Sequence, residues 1–425
     1  MYDWDGYFDL VRLAATFRMK VRIVLGFHQR GTGPTDPCWL PLPIWVLEEM
    51  DRCPDLAYSD RFGRRNKEYV SLGCDVLPVL KGRSPVQVYS DLMRSFRNKF
   101  EHVLGDIITE VQIGMGPCGE LRYPSCPCER FTRPTDEPEL GEFQCYDKYM
   151  LASLNAAAHK IDIKQWGKGG PFGAGSLFQN SEETIFFKND GSWNTQYGRF
   201  FLEWYSEMLL LHGERLCMAA DTIFFGTGVN LLGKVAGIHW HYYTDSHPSE
   251  LTAGYYNTLT RDGYLSIARM FARYRMTMCC ACFDLKDAEE EDINPKSSPE
   301  GFLRQLVHAA RICNLSLSGE NSRNRLDDAS LRQIIKSSKL YLGQSGGVHS
   351  NTTSLSFNFV RMGKNMFDSH NWSRFTRFVR QMSDARTFQA SLGHRTSRSS
   401  FFCASEELMK LAERLYIFNS FIPRF

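Results

Sequence analysis

The sequence lacks the features that would place the protein at a membrane or on a nucleic acid. It has no apolar run near the roughly 18 residues that a membrane-spanning helix needs. Its first ten residues, MYDWDGYFDL, fit neither a signal peptide nor a transit peptide. The 50 basic and 48 acidic residues leave a formal net charge of +2, with no long block of one sign. Because nucleic-acid-binding proteins usually carry a basic surface, we expect neither nucleic acid nor membrane as a partner, but a neutral or small molecule.

The paired cysteine motifs that hold structural zinc are also missing. The 13 cysteines are scattered, and neither CPC at 126–128 nor CCAC at 279–282 is joined by a suitably spaced second pair. A small, disulfide-stapled secreted domain does not fit a chain of 425 residues. We therefore expect free and largely buried thiols in a reducing compartment, and neither a metal nor a cofactor.

The sequence does contain short apolar runs that alternate with amphipathic helical patterns. The six predicted strands lie within residues 20–29, 106–116, 229–240, 276–285, 313–321 and 355–362, and predicted helices include 85–104, 198–220 and 329–338. Nearly continuous apolarity is typical of parallel strands buried on both faces. The length and a hydrophobic content of 43% suit either one α/β barrel with insertions or two to three smaller domains.

Polar or ionisable side chains follow each of the six predicted strands. They are His28 and Gln29, Glu120, Lys234 and His239, Asp284, Glu320 and Asn321, and Arg361. The carboxyl ends of the strands of a parallel barrel meet at one mouth, where such enzymes build their active sites. Six polar strand ends together indicate a site, although Asp284 and Lys234 could equally be inward groups paired with each other.

Glu120 and Glu320 are the two carboxylates best placed to face each other at this mouth. For Glu120 alone, the simpler interpretation is a turn cap or a surface pair with Arg122. Two facing carboxylates are what acetal hydrolysis requires, since one protonates the leaving oxygen and the other activates water or attacks carbon. A separation of roughly 6.5 to 9.5 Å gives inversion, whereas about 5 Å implies a covalent intermediate.

Several longer motifs occur in an order that resembles one known family. They are FHQRGTGPTD, GRRNKEYVSLG, GPCGELRYPS, GEFQCYDKYM, KVAGIHW, SELTAGYYN, RDGY, SGEN and FVRM. Their order and contexts resemble those of plant β-amylases, the inverting exo-acting glucanases that release maltose from the non-reducing ends of starch. The resemblance covers residues 2 to about 382. It implies an α/β fold, a TIM (β/α)8-type barrel, and an α-1,4-glucan or maltose as the ligand.

The resemblance also implies roles for individual residues. Glu120 matches the general acid of the family, and Glu320 matches the general base that activates water. The predicted substrate-binding residues are His28, Asp36, Lys234, His239, Asn321, Ser322 and Arg361. Asp36 lies in a loop that closes over the glucan in the family.

Some positions depart from the family pattern. Ala281 stands where the family carries a threonine, His241 where a tryptophan stacks on sugar, and Arg323 where a leucine packs against a glucose ring. The loop RGTGPTD contains Pro34, which restricts φ in a lid that must move. These departures predict weak or absent turnover, so an alternative is a non-catalytic glucan-binding or regulatory protein, with an amylase as a possible partner. The resemblance suggests a plastid, with the cytoplasm as the alternative.

The strand count departs from the family as well. A closed barrel of this class has eight strands, whereas the sequence predicts six, and the first two strands of the family have no counterpart. We predict one barrel domain over residues 1–393, incomplete at its N-terminus, and a divergent tail over 394–425. The strand at 20–29 and the strand at 355–362 should each lack a neighbour, and the isolated chain should be poorly soluble.

Overall fold

The computed structural model describes residues 2–31, 39–126, 140–177, 179–342, 354–360 and 363–383. In chain order its strands are β1 (Val21–Leu25), β2 (Ala57–Ser59), β3 (Arg65–Val70), β4 (Ile108–Ile113), β5 (Asn230–Val235), β6 (Thr277–Cys280), β7 (Leu317–Glu320) and β8 (Leu355–Asn358). The helices are α1 (Asp5–Thr16), α2 (Ile44–Arg52), α3 (Pro85–Phe100), α4 (Lys148–Lys160), α5 (Gln196–Phe224), α6 (Pro248–Ala253), α7 (Tyr264–Arg273), α8 (Asp287–Glu290), α9 (Pro299–Ile312), α10 (Asp328–Leu342) and α11 (Ser369–Met382).

Six parallel strands form the central sheet, and each lies inside one of the six predicted segments. Their order is β1-β4-β5-β6-β7-β8, so neighbours in the sheet follow one another along the chain. Helices of the βα connections pack on the outer face, as in an α/β barrel. The predicted fold class is therefore confirmed, as a curled, partial barrel. Within the described residues β1 pairs only with β4, and β8 pairs only with β7, which confirms the two predicted open edges.

Local sequence signals explain where the helices around this sheet begin. Ser84 accepts a hydrogen bond from the N–H of Gln87, and the Gln87 side chain accepts one from the N–H of Ser84. This capping box, followed by Pro85, satisfies N–H groups that have no partner in the first turn of α3. Thr195 caps the 29-residue α5 in a similar way by accepting from Gly198.

The apolar core lies mainly between the sheet and its helices. Met278 of β6, Leu317 of β7 and Phe302 of α9 are all fully buried in it. A smaller cluster joins α2 to the antiparallel pair β2–β3 and includes Met50 and Leu56. The core holds the carboxyl ends of the parallel strands in one place, and those ends form the candidate site.

None of the described helices is long and apolar enough to cross a membrane. Eight cysteines of the described part of the chain are free thiols, namely Cys53, Cys74, Cys145, Cys217, Cys279, Cys280, Cys282 and Cys313.

Candidate active site

Three of the predicted site residues are in direct contact at the carboxyl ends of the strands. Lys234 at the end of β5 lies between Glu120, which follows β4, and Glu320, the last residue of β7. Asp36 and Arg361 lie outside the described residues, so their substrate contacts stay predictions.

Backbone contacts fix Glu120 beside β5. The segment after β4 runs parallel to the end of β5, with a bridge between Glu120 and Lys234, and the Leu121 N–H donates to the Lys234 carbonyl at 2.8 Å. The Tyr255 hydroxyl donates to the Leu121 carbonyl at 2.7 Å and accepts from the Ala236 N–H at 3.0 Å. The position of Glu120 therefore does not depend on its own side chain.

A glycine allows this segment to fold back on itself. A Cβ atom at Gly116 would lie 2.7 Å from the carbonyl oxygens of both Glu120 and Arg122. Both neighbours are backbone atoms, so any larger residue would displace the loop that carries Glu120.

A buried histidine of α5 supports the same loop. His212 Nδ1 lies 2.9 Å from a carboxylate oxygen of Asp75, and Nε2 lies 2.9 Å from the Met115 carbonyl. Since both partners accept hydrogen bonds, both ring nitrogens must carry hydrogen and the ring is charged. Burial alone would lower the pKa of His212, but Asp75 and the two hydrogen bonds outweigh burial and raise it.

Lys234 contacts the carboxylates of both Glu120 and Glu320. Its Nζ lies 3.0 Å from Glu320 Oε2 and 3.7 Å from Glu120 Oε1, and the side chains of Lys234, Glu120 and Glu320 are only 16%, 11% and 7% exposed. Burial acts to lower the pKa of Lys234, but the carboxylates of Glu120 and Glu320 raise it overall. Burial also acts to raise the pKa of Glu320, yet Lys234 holds it below its ordinary value, with smaller contributions from Cys279 and Arg22. Glu320 is therefore held as an ionised carboxylate.

The shared lysine limits how far apart the two carboxylates can be. Because both distances start at the same nitrogen, Glu120 Oε1 and Glu320 Oε2 are at most about 7 Å apart. The arrangement fits a pair of carboxyl groups that flank one glycosidic bond.

Arg122 pairs with Glu120, but in the interior. Its Nε donates to Glu120 Oε2 at 2.9 Å and its side chain is fully buried. The prediction that Glu120 pairs with Arg122 is therefore confirmed, but the prediction that this pair lies on the surface is wrong.

The loop after β7 is fixed by Asn321 and Asp284. Asn321 Nδ2 donates to the carbonyls of Arg323 and Val360 at 2.9 and 2.8 Å, and its Oδ1 accepts from the Val360 N–H at 2.6 Å. Asp284 accepts from the N–H groups of Ser322 and Arg323 at 2.6 and 2.9 Å. The alternative that Asp284 pairs with Lys234 is therefore wrong, because backbone N–H groups take both of its oxygens.

Ser322 Oγ accepts a hydrogen bond from the Cys282 N–H at 2.9 Å, so it joins the loops after β6 and β7. Sugar contacts by Asn321 and Ser322 stay predictions.

Two histidines of the predicted site are held neutral. Burial, with His212 nearby, lowers the pKa of His28 to about 3, and burial, with Arg323 nearby, lowers the pKa of His239 to about 3. His28 packs against the rings of Tyr69 and Tyr89, and its Nδ1 atom is buried without a hydrogen-bond partner among the described residues. Sugar contacts by His28 and His239 stay predictions.

No group of three or more His, Cys, Asp or Glu side chains in the described part of the chain is arranged to hold a metal ion.

Comparison with known proteins decides the family. The sequence profile of glycosyl hydrolase family 14 matches residues 1–387. The chain belongs to glycosyl hydrolase family 14. By family it is a glycoside hydrolase of the β-amylase type. The chain is 48% identical over 386 residues to chloroplastic β-amylase 1 of Arabidopsis thaliana, covering 91% of this chain and 66% of the relative.

Other relatives of family 14 give the same result. Chloroplastic β-amylase 1 of Oryza sativa subsp. japonica is 47% identical, over 90% of this chain and 70% of the relative. The chain thus spans about two thirds of the length of these two relatives. Among solved structures, the catalytic domain of a β-amylase from Paenibacillus polymyxa has the same fold, with a TM-score of 0.69, 23% identity, and coverage of 90% of this chain and 87% of that one.

Three of the four positions at which we expect a departure from the family pattern lie within the described residues. Arg323 donates to Glu290 at 2.6 Å and to Glu289 at 3.3 Å, so its charge is held against α8. The His241 Nδ1 is hydrogen-bonded to Ser249 Oγ, and the ring is buried. Ala281, on the loop after β6, offers no hydroxyl to the site. Pro34 lies outside the described residues.

Sequence reasoning missed one charged residue of this family 14 site. Arg22 is the second residue of β1; it donates to Glu110 and Ser318, and its Nη1 lies 3.9 Å from Glu320 Oε1. The available signal was an arginine inside the otherwise apolar strand VRIVL. The barrel rule places catalytic groups at the strand ends, so it does not select a residue inside a strand.

Proposed function

We propose that this chain binds α-1,4-glucans and hydrolyses them to maltose from their non-reducing ends, with inversion at the anomeric carbon. The observation that carries the proposal is the buried pair of Glu120 and Glu320 on either side of Lys234. Membership of family 14 and the names of the relatives support the same activity. The names of the chloroplastic relatives also favour a plastid as the compartment.

The proposed reaction uses the two carboxylates in opposite protonation states. Glu320 takes a proton from water as that water attacks the anomeric carbon, and Glu120 gives its proton to the glycosidic oxygen as the bond breaks. Lys234 supports Glu320 as a base because it stabilises the ionised form. Water ends on the sugar carbon, and the shortened glucan leaves as an alcohol.

Slow turnover is part of the proposal. Ala281 lacks a hydroxyl, and His241 and Arg323 are bonded within the protein where the family presents apolar or stacking groups. Removing one oriented group from a closed site commonly costs about tenfold or more in rate. These three positions favour a second candidate function, a glucan-binding regulator that acts with a catalytic amylase.

The test is maltose release from maltopentaose by the chain and by its Glu320→Gln variant. The proposal expects slow release by the chain and loss of at least about a hundredfold in the variant. Glu101→Gln, an exposed glutamate, is the matched control. Equal rates for the chain and Glu320→Gln would overturn the enzymatic function, and calorimetric binding of maltotetraose without turnover would support the regulator.

A further inference from the structure

Arg22 crosses the interior of the partial barrel from β1 to β7. Its Nε donates to Glu110 Oε2 at 2.6 Å, and Glu110 lies opposite it on β4. Its Nη2 donates to Ser318 Oγ at 2.8 Å, on the far side of the interior. The guanidinium is therefore oriented by two fixed partners, and the side chain is only 14% exposed.

The third nitrogen of Arg22 points toward the predicted base. Nη1 lies 3.9 Å from Glu320 Oε1, which is too long for a hydrogen bond. This nitrogen is buried and has no hydrogen-bond partner among the described residues. Its interaction with Glu320 Oε1 is therefore electrostatic and not a hydrogen bond.

The two cations near Glu320 approach different oxygens. Lys234 contacts Oε2 at 3.0 Å, whereas Arg22 faces Oε1. A base needs one oxygen that can accept a proton from water, and Oε1 is the oxygen that Lys234 does not contact in the described part of the chain. Ser318, which Arg22 holds, lies two residues before Glu320 on the same face of β7, so the same arginine also fixes the strand that carries the base.

The charged and titratable groups that surround Glu320 lie on or just after four strands. They are Arg22 from β1, with Glu110 of β4 behind it; Lys234 from β5, with Glu120 behind it; and the Cys279 thiol from β6. A change in Arg22 would alter the balance of this set without touching Lys234.

We propose that Arg22 is a positioning residue for the general base: it holds β7 through Ser318 and keeps Glu320 Oε1 charged and available to the attacking water. This inference rests on the proposed hydrolysis of glucan. Arg22 does not touch the sugar, so its role should show in kcat and in the pH profile, and not in KM.

The experiment compares the chain with Arg22→Gln, Arg22→Lys and Glu110→Gln. Loss of a charge within about 4–6 Å moves the titration of a carboxylate by about one pH unit. We expect Arg22→Gln to move the acid limb of kcat/KM upward by about that amount with KM unchanged, and Arg22→Lys to restore the limb. Glu110→Gln should move it downward, because it leaves the arginine uncompensated.

Opposite shifts of the acid limb of kcat/KM in Arg22→Gln and Glu110→Gln distinguish an electrostatic role from a folding defect. Damage to the fold would lower the activity of both variants without moving this limb along the pH axis. An unmoved limb in Arg22→Gln, or equal profiles for Arg22→Gln and Arg22→Lys, would overturn the inference. If the chain releases no maltose, the proposed function fails separately. The titration of Glu320, followed by 13C NMR of carboxyl-labelled glutamate and assigned with Glu320→Gln, then still tests Arg22: a shifted titration supports the inference and an unchanged one refutes it.

Discussion

Replacing Lys234 by methionine removes the cation that contacts both carboxylates of the site. Methionine keeps much of the length and apolar character of the lysine chain, so the change mainly removes the charge. Glu320 and Glu120 would then remain buried, at 7% and 11% exposure, without the ammonium group at 3.0 and 3.7 Å. Breaking a buried ion pair from one side costs about 3–5 kcal/mol.

This cost corresponds to a measurable change in melting temperature. The unfolding entropy is about 2.1 cal/mol/K per residue, or about 0.8 kcal/mol/K over the 387 residues matched to the family. A loss of about 4 kcal/mol therefore lowers the melting temperature by about 5 °C. Lys336→Met is the matched control, since Lys336 contacts Glu300 at 2.9 Å but is 65% exposed, and exposed pairs contribute less than about 1 kcal/mol.

The pH dependence of Lys234→Met provides a second check. The pKa of folded Glu320 lies below its ordinary value because of Lys234. Its contribution to stability is therefore present above the unfolded pKa, near 4.3, and is lost as pH falls through the folded pKa. The difference between the chain and Lys234→Met should be large at neutral pH and shrink in acid. The reasoning would be refuted if Lys234→Met had the same melting temperature as the unchanged chain at neutral pH. It would also be refuted if the difference between the two melting temperatures did not change with pH.

Three further predictions concern the support of the site and its departures from the family. Because the pKa of His212 is raised, its contribution to stability is complete below about pH 6.5 and is lost as pH rises through the raised pKa. Melting temperatures of the chain and of His212→Gln, measured from pH 6 to 10, should therefore converge as pH rises. A constant difference between the two melting temperatures would contradict this. Gly116→Ala should move the loop of Glu120, because its Cβ meets two carbonyl oxygens at 2.7 Å, and kcat should fall about a hundredfold; full activity would show that the loop tolerates a Cβ. Arg323→Leu should release the contacts to α8 and increase maltotetraose affinity about tenfold by calorimetry; unchanged affinity would remove this arginine from the explanation of slow turnover.

The sequence predicted the strands well because their signal is local. Each strand of the parallel sheet is a short apolar run, and such runs are recognisable without knowledge of the partners. The polar residues at their carboxyl ends identified the mouth, because parallel strands bring those ends together. Glu120, Lys234 and Glu320 could therefore be grouped before any distance was known.

The contacts across the interior could not be predicted in this way. Asp284 binds backbone N–H groups of the loop after β7 instead of Lys234, and backbone partners leave no pattern in side-chain spacing. Arg22 reaches Ser318, which is 296 residues away in sequence, and only the curvature of the sheet brings β1 opposite β7. His241 is bonded to Ser249, so its residue type alone did not reveal whether it faces the glucan or the core.

The central claim is that Glu120 and Glu320 hydrolyse a glucan with inversion. The most direct measurement is the 1H NMR spectrum of the first maltose released from maltopentaose, recorded before the anomers equilibrate, for the chain, Glu320→Gln and the control Glu101→Gln. We predict β-maltose from the chain and from Glu101→Gln, and no maltose above background from Glu320→Gln. Release of α-maltose, or equal release by the chain and Glu320→Gln, would contradict the claim.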